Sequence, residues 1–233
     1  MKILAIDTST EACSAALYID GHSHVQFEIA PQQHSKLILK QCDTLLANAE
    51  LKPTQLDAIA FGRGPGSFTG LRIAAGVTQG IAYACDLPVI DISTLAAQAQ
   101  KICVAHPDHI YLSTIDARMK EIYWGVYALS DNQMVELQSD EKVGLASEVS
   151  CQQLDRRLIG VGSGWKEYQT ELDASLPMNI LSDIYPDTLP SAKEIALLAS
   201  YRLKRGKVLT AEKAIPVYLR NNVAKKSAKS QTL

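Results

Sequence analysis

The chain has 233 residues, enough for one large domain or two of roughly 100–120 residues each. Hydrophobic residues make up 47% and charged residues 21%, which excludes a disordered chain and provides for a packed core. Lys and Arg number 23 against 25 Asp and Glu, a formal charge of −2, so the chain lacks the basic excess of a protein that grips nucleic acid unaided.

The N-terminus, Met1-Lys2-Ile3-Leu4-Ala5-Ile6-Asp7, reaches an acidic residue after four apolar ones. That is too short for the core of a signal peptide and reads as a buried first strand. No apolar run approaches the ~18 residues of a membrane span. Ala5 to Tyr18 opens a β-hairpin, and Val25–Ile29 adds a third strand, with His22 and His24 in the intervening turn. Ile38, Cys42, Leu45 and Ala49 fall on one stripe of a helix over Ser35–Ala49, flanked by Leu39 and Leu46. A strand at Leu56–Phe61 runs into the loop 62–70, a helix follows to about Cys85, then a strand at Leu87–Ile92 and a helix at Thr94–Cys103. Ala105-His106-Pro107-Asp108-His109 breaks the pattern.

The opening then recurs. Residues 5–18 align without gaps on 114–127, an offset of 109, with an aliphatic strand, an Asp at its end, a polar turn and a strand ending in Tyr. Strands follow near 110–115, 121–129, 133–138 and at Leu158–Val161, with a helix at Ser191–Lys204; residues 140–190 otherwise show no readable period. The arrangement predicts an α/β chain with lobes over 1–104 and 105–233. Three strands followed by alternating helices and strands resemble the ribonuclease H-like fold, duplicated as in the actin/sugar kinase/heat-shock chaperone (ASKHA) superfamily. The five cysteines, Cys13, Cys42, Cys85, Cys103 and Cys151, are odd in number and apolar in setting, so free buried thiols of a cytoplasmic protein fit them better than disulfides. The tail Lys225-Lys226-Ser227-Ala228-Lys229 reads as a solvated end.

Gly64-Pro65-Gly66-Ser67-Phe68-Thr69-Gly70-Leu71-Arg72 is the most distinctive run. Glycine permits close backbone approach, and Ser67 is a candidate N-cap. Two readings fit: an anion site at a helix start beside Arg63 and Arg72, or a tight strand-to-helix turn without a ligand. The absence of Walker-loop spacing and its lysine weighs toward the turn. In the helix that follows, Leu71, Ile73, Val77 and Ile81 are apolar while Gly70, Ala74, Ala75, Gly76, Gly80, Ala82 and Ala84 are small. Both faces should be covered, one by the sheet and one by the close approach of a second helix, unless the helix is wholly buried in its own lobe. Ile38, Cys42, Leu45, Leu71, Ala74, Gly76, Val77, Gly80 and Ile81 are the expected interface set.

Ile3-Leu4-Ala5-Ile6-Asp7-Thr8-Ser9, the glycine loop through Arg72, Asp116-Ala117-Arg118 to Tyr123, and Pro216-Val217-Tyr218-Leu219-Arg220 together resemble the TsaB (YeaZ) family across nearly the whole chain. The resemblance implies a non-catalytic subunit in forming threonylcarbamoyladenosine beside the anticodon of ANN-reading tRNAs. It also implies direct helix-mediated pairing with the catalytic paralogue TsaD, partnership with the ATPase TsaE, TsaC upstream in the pathway, tRNA contact through the complex only, and a homodimer in isolation. The paralogue holds its metal with a His-x-x-x-His pair, and the matching positions here are Thr94 and Gln98, far weaker ligands. No metal or cofactor is therefore expected. Asp7-Thr8-Ser9 and Asp116-Ala117-Arg118 lack the glycine of phosphate-binding turns, leaving Asp7, Thr8 and Ser9 as at most a remnant of one. Gly160-Val161-Gly162-Ser163-Gly164 reads as a plain glycine turn or an adenosine-side remnant. The alternatives are a metal-dependent glycopeptidase-like hydrolase, a small-molecule kinase of the same superfamily, or a stand-alone homodimer.

Overall fold

A computed structural model describes residues 1–151 and 156–220; the basic tail lies outside these residues. The first sheet takes β1 (Lys2–Asp7), β2 (Ala12–Ile19), β3 (His22–Ile29), β4 (Ala58–Gly64) and β5 (Val89–Ser93) in the order β3-β2-β1-β4-β5. The first three strands are antiparallel, while β4 and β5 run parallel to β1. The second sheet repeats this plan with β6 (Ile110–Asp116), β7 (Glu121–Leu129), β8 (Val135–Leu137), β10 (Leu158–Val161) and β11 (Leu181–Tyr185), ordered β11-β10-β6-β7-β8. The short β9 (Lys142–Leu145) also pairs with β7.

The helices are α1 (His34–Asn48), α2 (Phe68–Cys85), α3 (Thr94–Cys103), α4 (Ser163–Ser175) and α5 (Ala192–Lys204). Both faces of the first sheet are buried, so its strands alternate between two cores. Leu4 and Ile6 of β1 join Ile38, Cys42 and Leu45 of α1 and Ala74 and Ala82 of α2 on the outer side. Ile3 and Ala5 face inward, where they share a core with Leu95 and Ala99 of α3, Ile195 and Ala196 of α5, and Tyr111, Tyr127 and Ile159 of the second sheet. On the far side Trp165 and Leu172 of α4 cover Leu112, Trp124 and Val126.

The molecule thus stacks five layers, with α3 and α5 between the sheets. Each of these helices packs against the sheet of the other half: α3 against β6, β7 and β8, and α5 against β1, β2, β4 and β5. The Oγ of Ser14 in β2 accepts a hydrogen bond from the Ala192 amide at 2.9 Å, fixing the start of α5 on the first sheet. Ser93 and Ser191 cap α3 and α5, accepting from Ala96 N–H and Lys193 N–H.

Several expectations need correction. His22 and His24 lie within β3, because Asp20 and Gly21, both at positive φ, already make a two-residue turn. Leu39 is exposed rather than part of the core stripe. β4 extends through Gly62, Arg63 and Gly64, so the first third of the expected loop is strand. The two hairpin openings differ in register by one residue: Asp7 stands opposite Ser14, whereas Asp116 stands opposite Ile122 rather than Tyr123. All five cysteines are free, and burial pushes the Cys13 thiol up to about 11 and Cys42 to about 12, which holds both protonated and unreactive.

Because α5 covers the inner face of the first sheet, residues 1–104 expressed alone will lack a cooperative thermal transition, and adding 105–233 in trans will restore one. Differential scanning calorimetry checks this; a sharp transition from the 1–104 fragment by itself would show that the first half needs no helix from the second.

Candidate functional site

The end of β1 meets the start of α2 in the first hairpin turn. Asp7, Thr8 and Ser9 are buried there. The Ser9 hydroxyl donates to Asp7 Oδ2 at 3.1 Å, and Ala12 N–H reaches the Thr10 hydroxyl at 3.3 Å, so the turn caps itself. The glycine loop closes over it. Ser67 N–H donates to the Ser9 carbonyl at 2.7 Å, and the Thr8 hydroxyl donates to the Gly70 carbonyl at 2.6 Å. A Cβ at Gly66 would overlap the Ser9 carbonyl, and one at Gly70 the Thr8 carbonyl. These glycines are needed for close backbone approach, and the start of α2 packs directly on the turn.

The loop is therefore a strand-to-helix clamp rather than an anion cradle. Gly64 ends β4 at φ 109°, Pro65 is buried, and Ser67 caps α2 while Thr69 is exposed on its first turn. Arg63 is neutralised by Asp91 (3.5 Å) and Glu141 (3.0 Å), while Arg72 turns away from the Thr8–Ser9 turn to lie against Phe68 and Tyr218. Asp7 faces Gly62 and Ile195, and its Oδ1 has no hydrogen-bond partner. Burial without a cation raises its carboxyl to about 7. Asp7, Thr8 and Ser9, expected as at most a remnant of a phosphate turn, are thus buried under the start of α2.

The second turn is equally committed. Asp116 Oδ1 accepts from Arg118 N–H at 2.9 Å, and Ser163 Oγ accepts from Asp116 N–H at 3.0 Å. In the 160–164 run, a Cβ on Gly160 would strike the Trp165 indole, and one on Gly162 the Thr114 carbonyl and the Gln98 side chain. That run is a packing turn. Thr94 and Gln98, one turn apart at the start of α3, are both buried. Gln98 donates to the Thr188 carbonyl at 2.7 Å and accepts from Ser113 at 3.1 Å. The Thr94 hydroxyl has no hydrogen-bond partner, but a neutral hydroxyl and an amide already spent on neighbours are poor ligands for a catalytic transition metal. Among the described residues no group of three His, Cys, Asp or Glu is placed to hold one.

Sequence reading missed a polar network between the two halves. Glu141 inserts its carboxylate among Arg63, Ser93 and Tyr127, with Tyr127 donating at 2.6 Å and Ser93 donating to the same oxygen. Burial, with Glu141 second, keeps the Tyr127 hydroxyl well above its usual range. Arg202 of α5 extends the network to Asp91 at 3.2 Å. Glu141 falls in the aperiodic stretch, so nothing local in the sequence pointed to it. The chain end returns here as well: Val217 N–H donates to the Arg63 carbonyl at 2.8 Å, and Arg220 pairs with Glu121.

The expected interface set divides in two. Ile38, Cys42, Leu45, Leu71 and Ala74 are buried inside the outer core, because their stripe turns toward the sheet, and they are not available to a partner. Gly76 and Gly80 are exposed, and a Cβ at either meets nothing within 4 Å. Val77 and Ile81 are half-buried beside them, with Leu37 of α1 and Ile73 in the same class, and Tyr83 is 78% exposed on the same helix. The outward face of α2 is thus a shallow, small-residue surface with an apolar margin. Among the described residues no helix is long and apolar enough to cross a membrane.

The family model described as "TsaD: tRNA N6-adenosine threonylcarbamoyltransferase" matches residues 24–228. The chain is 39% identical to the tRNA threonylcarbamoyladenosine biosynthesis protein TsaB of Escherichia coli, covering 96% of both chains. It is also 39% identical to the TsaB of Haemophilus influenzae, covering 96% of this chain and 95% of that one. The solved structure of YeaZ from Pseudomonas aeruginosa superposes with a TM-score of 0.86 at 38% identity, covering 94% of this chain and 99% of that one.

Two predictions follow from the sealed turn. Gly70→Ala drives a methyl into the Thr8 carbonyl, an overpacking cost of about 3 kcal/mol, read as a melting temperature roughly 6–12 °C lower; Gly76→Ala, which meets open space, will show no loss. For Asp7, the unfolded chain ionises near 3.8 and the folded one near 7, so the folded state binds more protons in that window and stability falls as pH rises through it. The loss is about 1.4 kcal/mol per pH unit, about 4 kcal/mol in all. Asp7→Asn will remove this slope and be the more stable form at pH 7.5, measured by urea unfolding at pH 4.5 and 7.5; parallel wild-type and variant pH profiles would refute it.

Proposed function

The chain belongs to the TsaB (YeaZ) family, and we propose that it is the non-catalytic partner of a TsaD-type transferase in making threonylcarbamoyladenosine beside the anticodon of ANN-reading tRNAs. The observation that carries this reading is the pair Thr94 and Gln98. They stand where the catalytic paralogue has its metal-binding histidines, and Gln98 is tied to Thr188 and Ser113. The sealed turn around Thr8 and Ser9 supports it, since a kinase of this superfamily needs that turn open to a phosphate. With the superfamily's reactive positions closed, the chain acts by contact.

The contact surface is the outward face of α2 with the adjoining edge of α1. Gly76 and Gly80 let a second helix approach the backbone, and Leu37, Ile73, Val77 and Ile81 supply an apolar margin. Helix packing of this kind takes interaxial distances of about 8–10 Å, set by the smallness of the residues at the crossing. TsaD occupies this face in the working complex, and a second copy of the chain occupies it when TsaD is absent. TsaE joins the assembled pair, TsaC supplies the adenylate from outside it, and the tRNA that is modified meets the chain through the complex.

The test is reconstitution on an ANN-reading tRNA transcript. The chain alone will give no modified adenosine, TsaD with TsaE and TsaC will give little without it, and the full set will restore modification. Gly76→Leu or Gly80→Leu will leave the monomer folded and slightly more stable, since glycine inside a helix costs about 1 kcal/mol relative to better formers. Each will break co-elution with TsaD on a sizing column. Modification by the chain alone, or undiminished co-elution of both variants, would overturn the respective half of the reading.

A further inference from the structure

The strap 214–220 does more than return to the body of the protein. At its middle, the Tyr218 and Phe68 rings stand 5.4 Å apart at 36°, and the Arg72 guanidinium lies 4.0 Å above the Phe68 ring while its Nε donates to the Tyr218 hydroxyl at 3.1 Å. A closed aromatic cluster would be buried, yet Phe68 is 53% and Tyr218 42% exposed. Two residues on, Arg220 donates to Glu121 and reaches the Arg118 carbonyl at 3.5 Å. Tyr218 and Arg220 are two residues apart, at most about 7 Å, so the strap links the ring cluster to the 118–120 turn.

That turn is built to project outward. Arg118, Met119 and Lys120 are all at positive φ, between 56° and 66°, and all exposed. The Arg118 side chain is paired with Asp116 at 3.0 Å. Among the described residues neither Arg72 nor Lys120 has a carboxylate within ion-pair distance. The sequence adds Lys225 and Lys226 within six residues of Arg220, a tether of at most about 20 Å. Exposed rings beside unpaired cations form a stacking platform for unpaired bases, with a charge excess for the backbone that carries them.

We propose that Phe68, Tyr218 and Arg72, with Lys120 on the turn that Arg220 contacts, form a binding surface for single-stranded RNA, on which unpaired bases of a loop stack while phosphates meet the cations. This deepens the reading of the chain as a subunit of a tRNA-modifying assembly and rests on it for the identity of the RNA. The uneven charge also fits the overall formal charge of −2: binding by the lone chain is weak and salt-sensitive, and gains strength when another subunit shares the RNA.

The experiment uses the full chain and a fluorescein-labelled RNA hairpin with an unpaired loop, against a fully paired duplex of the same length, by anisotropy at low salt. The hairpin will bind more tightly than the duplex. Phe68→Ala and Tyr218→Ala will each weaken hairpin binding roughly 5- to 100-fold. Phe68→Trp and Tyr218→Phe will retain it, which separates stacking from a lost fold. Arg72→Ala will lower the salt slope by about one phosphate contact.

Equal binding of hairpin and duplex, or hairpin binding untouched by the two alanine variants, overturns the proposal. So does loss of binding on removing 221–233 with Phe68→Ala neutral, which would put the RNA on the tail. If the alanine variants bind RNA normally but lose TsaD on a sizing column, the surface is a protein interface and the proposal fails. Co-elution of wild-type chain with TsaD is scored separately: its absence refutes the assembly reading whatever the RNA result.

Discussion

Two sheets in this chain each have an inner face that must be kept from water, and one layer of two helices does it for both. The inward row of the first sheet, Ile3, Ala5, Ala58, Ala60 and Ile90, and that of the second, Tyr111, Ile115, Tyr127 and Ile159, end in the same core. Since α3 lies on the second sheet and α5 on the first, neither half can leave without stripping a helix from the other. The glutamate network is a consequence of that arrangement. Once the sheets are held at a helix layer's distance, a carboxylate from residue 141 can reach Arg63 and Ser93 across the joint, and its desolvation is offset by three donors converging on it.

Inside the same frame, glycine decides what is open and what is closed. At Gly66 and Gly70 the missing side chains let backbone press on backbone, so the turn carrying Asp7 is filled by the start of α2. The result is a buried carboxyl with one oxygen bonded to Ser9 and the other without a partner. At Gly76 and Gly80 the same residue type, about two and three turns further along α2 on its exposed side, leaves the surface low instead. One helix thus seals the interior with its first turn and presents a shallow outer face with its middle.

Much of this was legible in the residues. The helix over Thr94–Cys103 matches its predicted bounds because Ser93 supplies a cap and the apolar period is clean, and the strands at 121–129 and 158–161 match as well. The TsaB (YeaZ) family and its two-sheet fold were legible from the loop and hairpin motifs. The side on which each helix packs was not, because an apolar stripe on α5 records burial without recording against which sheet. For the same reason Ile38, Cys42 and Leu45 were placed at a partner interface although they face the core: the stripe that marks a helix is its inner one. Glu141 and the strap contacts of Tyr218 and Arg220 depend on pairings 78 to 146 residues apart, which no local pattern encodes. Three consecutive left-handed residues at 118–120 were unreadable too, since none is glycine.

The bridge between Val89 and Leu209, with its two backbone hydrogen bonds of 2.9 and 2.8 Å, places a piece of the chain's own end along β5, the outermost strand on that side. One rim of the first sheet is therefore already occupied there and cannot template a neighbour's strand. Ladder growth is left to the opposite rim, β3, where His22, Ser23 and His24 are all polar and Gln26 and Glu28 alternate with Val25 and Phe27. Crowded chains of this protein are consequently discouraged from stacking edge to edge on one side by occupancy and on the other by solvation.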